Sequence, residues 1–183
     1  MINLPGHTPA PAFDDPLELL HACHSRIQAQ CATLRKLQAH LAAHGCDDQA
    51  QQAAQAILRY FDTAGQHHHN DEEQDLFPHL LDTRDPTASA LVQRLLAEHT
   101  VMETAWQRLR PQLLAIAQED TAVLDAKTVD DFIRAYDEHI AVENSQLLPL
   151  AGQLLTSAHL ETIGRRMAAR RGVAPPESIS STS

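Results

Sequence analysis

His67-His68-His69-Asn70-Asp71-Glu72-Glu73-Gln74-Asp75-Leu76-Phe77-Pro78 is the stretch on which the fold turns. Ala54, Ile57, Phe61, Gly65, His68, Glu72 and Leu76 recur every three or four residues, the period of one helical face. The apolar stripe of an amphipathic helix is thus interrupted by an imidazole and a carboxylate spaced i,i+4, one above the other. An uncompensated carboxylate in a helical core costs several kcal/mol, so Glu72 must be paired or bound to a cation.

Three other stripes are interrupted in the same way. Asp15-Pro16 reads as an N-cap and first helical residue, followed by Leu17, Leu20, His24, Ile27, Cys31, Leu34 and Leu41, with Gly45 as the stop and Asp47 or Asp48 capping the second helix. The second helix runs to about Leu81. Asp85-Pro86 repeats the start signal for a third helix carrying Val92, Leu95, His99, Glu103, Trp106, Leu109 and Leu113, with a kink expected at Pro111. Thr128 with Asp131 gives a weaker start for a fourth, carrying Val129, Phe132, Tyr136, His139, Glu143, Leu147 and Leu150. The expectation is an all-α, up-down-up-down antiparallel four-helix bundle over 16–171, including a short fifth helix from about Ser157 to Arg171. An extended arm at 1–15 and a disordered tail at 172–183 complete the organisation.

The interruptions fall at one level. At 1.5 Å per residue His24 lies about 12 Å from the start of its helix, and His68 and Glu72 about 14–20 Å from the end of theirs. His99 lies about 18 Å into the third helix, and His139 and Glu143 about 12–18 Å from the end of the fourth. In an antiparallel bundle all six meet near the same end. Four imidazoles and two carboxylates that can each bridge make a plausible two-metal centre, suited to iron, with manganese or zinc as alternatives.

The bulk composition limits other readings. The 183-residue chain is 43% hydrophobic, which suits a globular core, and only 4% aromatic. Its net charge of -10 argues against nucleic acid as a partner. The basic cluster Arg165, Arg166, Arg170 and Arg171 reads as a solvated helix end. Three cysteines without a CxxC argue against a disulfide framework, and with no signal peptide or membrane span in view, a cytoplasmic location is expected. Cys23 and Cys31 read as small packing residues.

His68 to Pro78 resembles the HHxxEExxLFP signature of the hemerythrin-like, HHE cation-binding family. Cys23-His24-Ser25-Arg26-Ile27 is similar to that family's opening motif. His139-Ile140-Ala141-Val142-Glu143 with Leu147-Leu148-Pro149 is similar to its closing one. The resemblance spans roughly Pro16 to Ala151 and selects His68 with Glu72 as ligands rather than His69 with Glu73, which read as a solvated face or as supports of the ligands. It departs from the oxygen carriers of the family, which resemble HxxxH in the third helix, where this chain has His99 and Glu103. The ligand pattern is closer to the four-His, two-Glu centres of iron–sulfur repair proteins.

The implied function is binding or sensing of a small ligand (dioxygen, nitric oxide, peroxide) or iron handling, without an assigned enzymatic reaction and with any protein partner unknown. The alternative is nitric-oxide or peroxide reduction or cluster repair. A ferritin-like oxidase needs paired Glu-x-x-His, and only Glu18 to His21 fits. Glu103 is expected level with the metals as a ligand, a gate or a supporting acceptor, the last two favoured. Tyr136 is either a hydrogen-bond donor to a metal-bound oxygen or a core tyrosine. Gly65 either leaves ligand space or permits close packing. His21 and His79 read as mouth or surface residues, and His40 and His44 as exposed at the far end.

Overall fold

The computed structural model describes residues 13–119 and 123–173, and among them every regular element is helical. Four rods form the bundle. The first is α1 (Pro16–His44). The second joins α2 (Asp48–Tyr60), α3 (Gln66–Asp71) and α4 (Phe77–Asp82) through π-helical turns at Phe61–Gly65 and Glu72–Leu76. The third is α5 (Pro86–Ala117), unbroken through Pro111. The fourth joins α6 (Ala126–Val142) to α7 (Leu148–Leu154) through a π-helical turn at Glu143–Leu147. A final helix, α8 (Ser157–Arg170), lies against α1 and the 66–76 segment. No helix among the described residues is long and apolar enough to cross a membrane. The expected arm and tail fall almost wholly outside the described residues.

Asp15, Asp47 and Asp85 cap their helices as read from the sequence, each accepting a backbone N–H three residues on. The fourth rod starts earlier than expected. Asp125 is its cap, and its carboxylate accepts from both the N–H and the hydroxyl of Thr128. Thr128 is therefore inside the first turn.

Two π turns have a visible chemical cause. Pro78 and Pro149 each stand six residues after a core glutamate and lack the N–H that would bond four residues back. In both places the preceding N–H reaches five residues back instead, Phe77 to Glu72 and Leu148 to Glu143.

The core divides into two apolar clusters. One contains Ile27, Leu34, Ile57, Phe61, Trp106 and Phe132, and the other Leu20, Leu76, Phe77, Leu95, Leu147 and Met167. Along every rod the buried His and Glu residues fall between them. Burial of the apolar faces holds the rods together on either side of one polar layer.

The arginine cluster is not a solvated helix end. Arg170 bonds Asp71 and reaches Asp75 Oδ2 at 2.7 Å, and Arg171 Nη2 reaches Asp71 Oδ2 at 2.6 Å. Both carboxylates are buried, so α8 supplies the counter-charges without which they would be strongly destabilising. Arg165 and Arg166 do remain largely exposed.

Gly164 seats α8 against the chain entering α1. A Cβ there would stand 1.9 Å from the carbonyl oxygen of Phe13. Gly164→Ala should therefore destabilise the protein by about 1–3 kcal/mol, roughly 3–10 °C in melting temperature. An unchanged thermal unfolding curve would show that the Phe13 segment contributes nothing to the fold.

Candidate metal centre

His24 reaches the bundle axis from α1, His68 from α3, His99 from α5 and His139 from α6, while Glu72 and Glu143 open their π turns. All six are buried. Two sets of ligand atoms emerge, His24, His68, Glu72 and Glu143 in one, and Glu72, His99, His139 and Glu143 in the other, with the atoms of each set within 4.8 Å of one another. Both carboxylates belong to both sets. Glu72 turns Oε1 to His68 (3.4 Å) and Oε2 to His99 (3.3 Å). Glu143 turns Oε2 to His24 (3.1 Å) and Oε1 to His139 (3.3 Å).

Proton bookkeeping shows that a cation fits here. His99 Nδ1 donates to Glu73 at 2.6 Å and His139 Nδ1 to Glu98 at 2.9 Å. A neutral imidazole has one N–H, so both Nε2 atoms are left with lone pairs. They face each other at 3.1 Å, an approach that only a proton or a metal ion between them makes favourable. His24 Nδ1 likewise donates to Asn144 Oδ1 at 2.6 Å, turning a lone pair toward carboxylate oxygens. His24 Nε2, both nitrogens of His68 and all four oxygens of Glu72 and Glu143 are buried without a hydrogen-bond partner. Short separations without hydrogen-bond geometry are what ligands of one ion show: atoms about 2.1 Å from a shared metal lie about 3.0–3.4 Å apart.

The electrostatics of the metal-free centre express the same unmet demand. Burial lowers the pKa of His24, but Glu143 and Glu72 outweigh it and raise it to about 10. His99 is raised against burial by Glu72 and Glu73 to about 9, and His139 is raised against burial by Glu143. His68 is pushed well below the ordinary range by burial and by the charge of His24. Burial and the neighbouring Glu143 push Glu72 up, whereas His139 and His24 overcome burial to hold Glu143 down.

The remaining sequence candidates divide. Glu73 is half-exposed and braces His99. His69 stacks on His99 with ring centroids 4.2 Å apart, and burial followed by His99 lowers its pKa to about 3. Tyr136 is buried with its ring parallel to that of His69 at 6.0 Å. Glu103 does not face the centre. It is exposed and accepts from Gln107 at 3.0 Å, because Met102, three residues after His99, takes the inward place on that turn. Gly65 leaves no ligand space beyond Phe61, whose Cδ1 would lie 3.3 Å from an added Cβ. His21 is exposed. His79 is half-buried, with Nδ1 donating to the Asp75 carbonyl at 2.6 Å. His40 is half-buried and paired with Asp47 at 2.9 Å, and His44 is exposed. Sequence reading missed Glu98 and Asn144, each one position from a ligand in the chain. Their adjacency to His99 and Glu143 was the available signal, but each braces an imidazole on a different rod.

The chain belongs to the hemerythrin HHE cation-binding domain family, whose pattern residues 15–151 match. It is also similar to an uncharacterised protein of Haemophilus influenzae, 33% identical over 161 residues that cover 88% of this chain and 92% of that one. Fold, ligand geometry and family therefore agree on a metal-binding helical bundle.

A pH dependence follows. The raised His24 and His99 stabilise the metal-free fold below their unfolded value of 6.5, and that contribution is lost as pH rises through about 9 and about 10. Metal binding needs both imidazoles deprotonated and tightens over the same window. The melting-temperature gap between metal-loaded and metal-free protein should widen from pH 6.5 to pH 9. Calorimetry showing the gap to narrow would mean that these imidazoles are not displaced from protons by metal.

Proposed function

We propose that the chain is a non-haem di-iron protein of the cytoplasm that binds or senses a small ligand of the dioxygen, nitric oxide or peroxide class. The observation that carries this is the sharing of Glu72 and Glu143 between two ligand sets, each completed by two histidines. One carboxylate oxygen faces each set, the arrangement that suits a pair of bridged ions. Imidazole with carboxylate suits iron, with manganese and zinc as the competing ions.

His24 and His68 would hold one ion and His99 and His139 the other. Four protein atoms per ion leave coordination positions for an exogenous ligand, by the logic that separates reactive from closed sites. When bound, the ions would supply Lewis acidity and one-electron chemistry. The chain's own part is to fix the imidazoles through Asn144, Glu73 and Glu98 and to exclude water with the apolar clusters on either side.

The test is metal analysis with an optical spectrum of protein produced in iron, with and without air and nitric oxide. About two ions per chain are expected, with a spectrum that responds to one of the gases. Saturation at a single ion would sink the paired-metal reading. Glu72→Ala should lower metal content more than Glu73→Ala, and chelation should lower the melting temperature.

A further inference from the structure

Beyond the six ligands, one buried nitrogen beside the centre has no assigned work. Among the described residues, the buried side-chain nitrogens and oxygens without a hydrogen-bond partner all belong to His24, His68, Glu72 and Glu143, save Gln30 Oε1 and His69 Nε2. Metal accounts for His24 Nε2, His68 Nε2 and the four carboxylate oxygens, while His68 Nδ1 is the far nitrogen of a ligand ring. Gln30 lies two turns from His24 along α1. His69 stands against the centre itself.

Its position is tightly defined. The His69 ring stacks on His99 at 4.2 Å and 19°, lies parallel to Tyr136 at 6.0 Å and 16°, and meets His139 edge-on at 6.4 Å and 71°. Its nearest ring is thus that of His99, in the His99–His139 set, with His68 of the other set 5.8 Å away at 42°. Beside the opposite pair, His24 and His68, no residue outside the six ligands offers a free buried nitrogen among the described residues; the unpartnered Nδ1 there belongs to the ligand His68 itself. The two halves of the centre are therefore unequal although their ligand sets match.

His69 is poorly placed to be a seventh ligand. Its nitrogens fall outside both sets of convergent atoms. Two near-parallel rings aim their nitrogens side by side, whereas ligands of one ion converge on a point. A buried polar nitrogen without a partner is unfavourable, and its retention calls for a partner that arrives with the ligand. In the tautomer with its proton on Nε2, His69 is a donor held rigidly between aromatic neighbours.

We propose that His69 Nε2 donates a hydrogen bond to the exogenous ligand on the His99–His139 ion, and so biases the centre toward small anionic, hydrogen-bond-accepting ligands of the hydroperoxide class over nitric oxide. The proposal rests on the paired-metal reading above. His69 is a positioning residue in this scheme: it orients a bound group and takes no part in holding the metals.

Iron-loaded full-length protein separates the outcomes, with azide as the anionic probe and nitric oxide as the weak acceptor. Metal content, azide affinity from an optical titration and the azide infrared stretch are measured for the wild type, His69→Leu and His69→Gln. Both variants should keep the wild-type metal content. His69→Leu should weaken azide by roughly 10- to 100-fold, the effect of losing one hydrogen bond to a charged group, and shift the stretch. His69→Gln, which keeps a donor, should recover part of the affinity, and nitric oxide binding should change less than about threefold. Loss of metal in both variants would make His69 a ligand and overturn the proposal. Unchanged azide affinity in His69→Leu would overturn it too, as would equal losses for azide and nitric oxide, which indicate a packing role. Failure of the wild type to load two ions would instead sink the reading on which the proposal rests.

Discussion

Two carboxylates, Glu72 and Glu143, sit on the axis of a helical bundle with no exposed surface, and the rest of the structure answers that constraint. Two like charges in an apolar core cannot both stay ionised without nearby positive charge. In the metal-free chain, protons on His24, His99 and His139 supply it, which is why those imidazoles are raised while His68, already beside a charged His24, is driven neutral. Ions in the same place would do so with better geometry, since every lone pair in the layer already points inward.

The backbone is adapted to the same end. A regular α-helix offers one residue per turn to a given line, and a one-residue π insertion re-aims whatever follows it. Glu72 and Glu143 both stand where such an insertion begins, and both insertions are explained by a proline six residues later. The Leu-Phe-Pro and Leu-Leu-Pro endings of the two motifs thus help to place the two core glutamates. They free the backbone turn that sets the glutamates, and they bury Phe77 and Leu147 in the apolar cluster below.

The fold and the six inward residues were legible because both are periodic signals: apolar spacing, Asp-Pro caps and His-Glu pairs all lie along single helices. What was illegible lay between helices. Glu98 braces His139 from 41 residues away, and Asn144 braces His24 from 120. The arginines of α8 meet Asp71 and Asp75 about a hundred residues upstream. No spacing rule marks such pairs before the rods are docked. Glu103 failed for a different reason. The buried line of α5 runs His99, Met102, Trp106 and Leu109, so the inward place after His99 goes to the apolar Met102, packed in one cluster with Trp106 and Phe132, and Glu103 is left on the exposed side.

Charge balance connects the remaining pieces. With neutral imidazoles, Glu72 and Glu143 would leave two divalent ions, as proposed above, with an excess of two positive charges. Glu73 and Glu98, each bonded to the Nδ1 of a ligand histidine, bring two negative charges to the edge of the layer. Both sit on the His99–His139 half, whereas His24 is braced by the uncharged Asn144. Asp71 and Asp75 add nothing to this sum, because Arg170 and Arg171 neutralise them. Glu98 is shared with Arg94 and Glu73 is partly solvated, so their influence acts mainly through the imidazoles they hold. An imidazole that donates to a carboxylate is the more basic ligand. An ion held on the His99–His139 side would therefore meet the more basic imidazoles, and this is the side on which the ring of His69 stacks. The two ligand sets match in residue type and differ in the charge of the groups that brace their imidazoles.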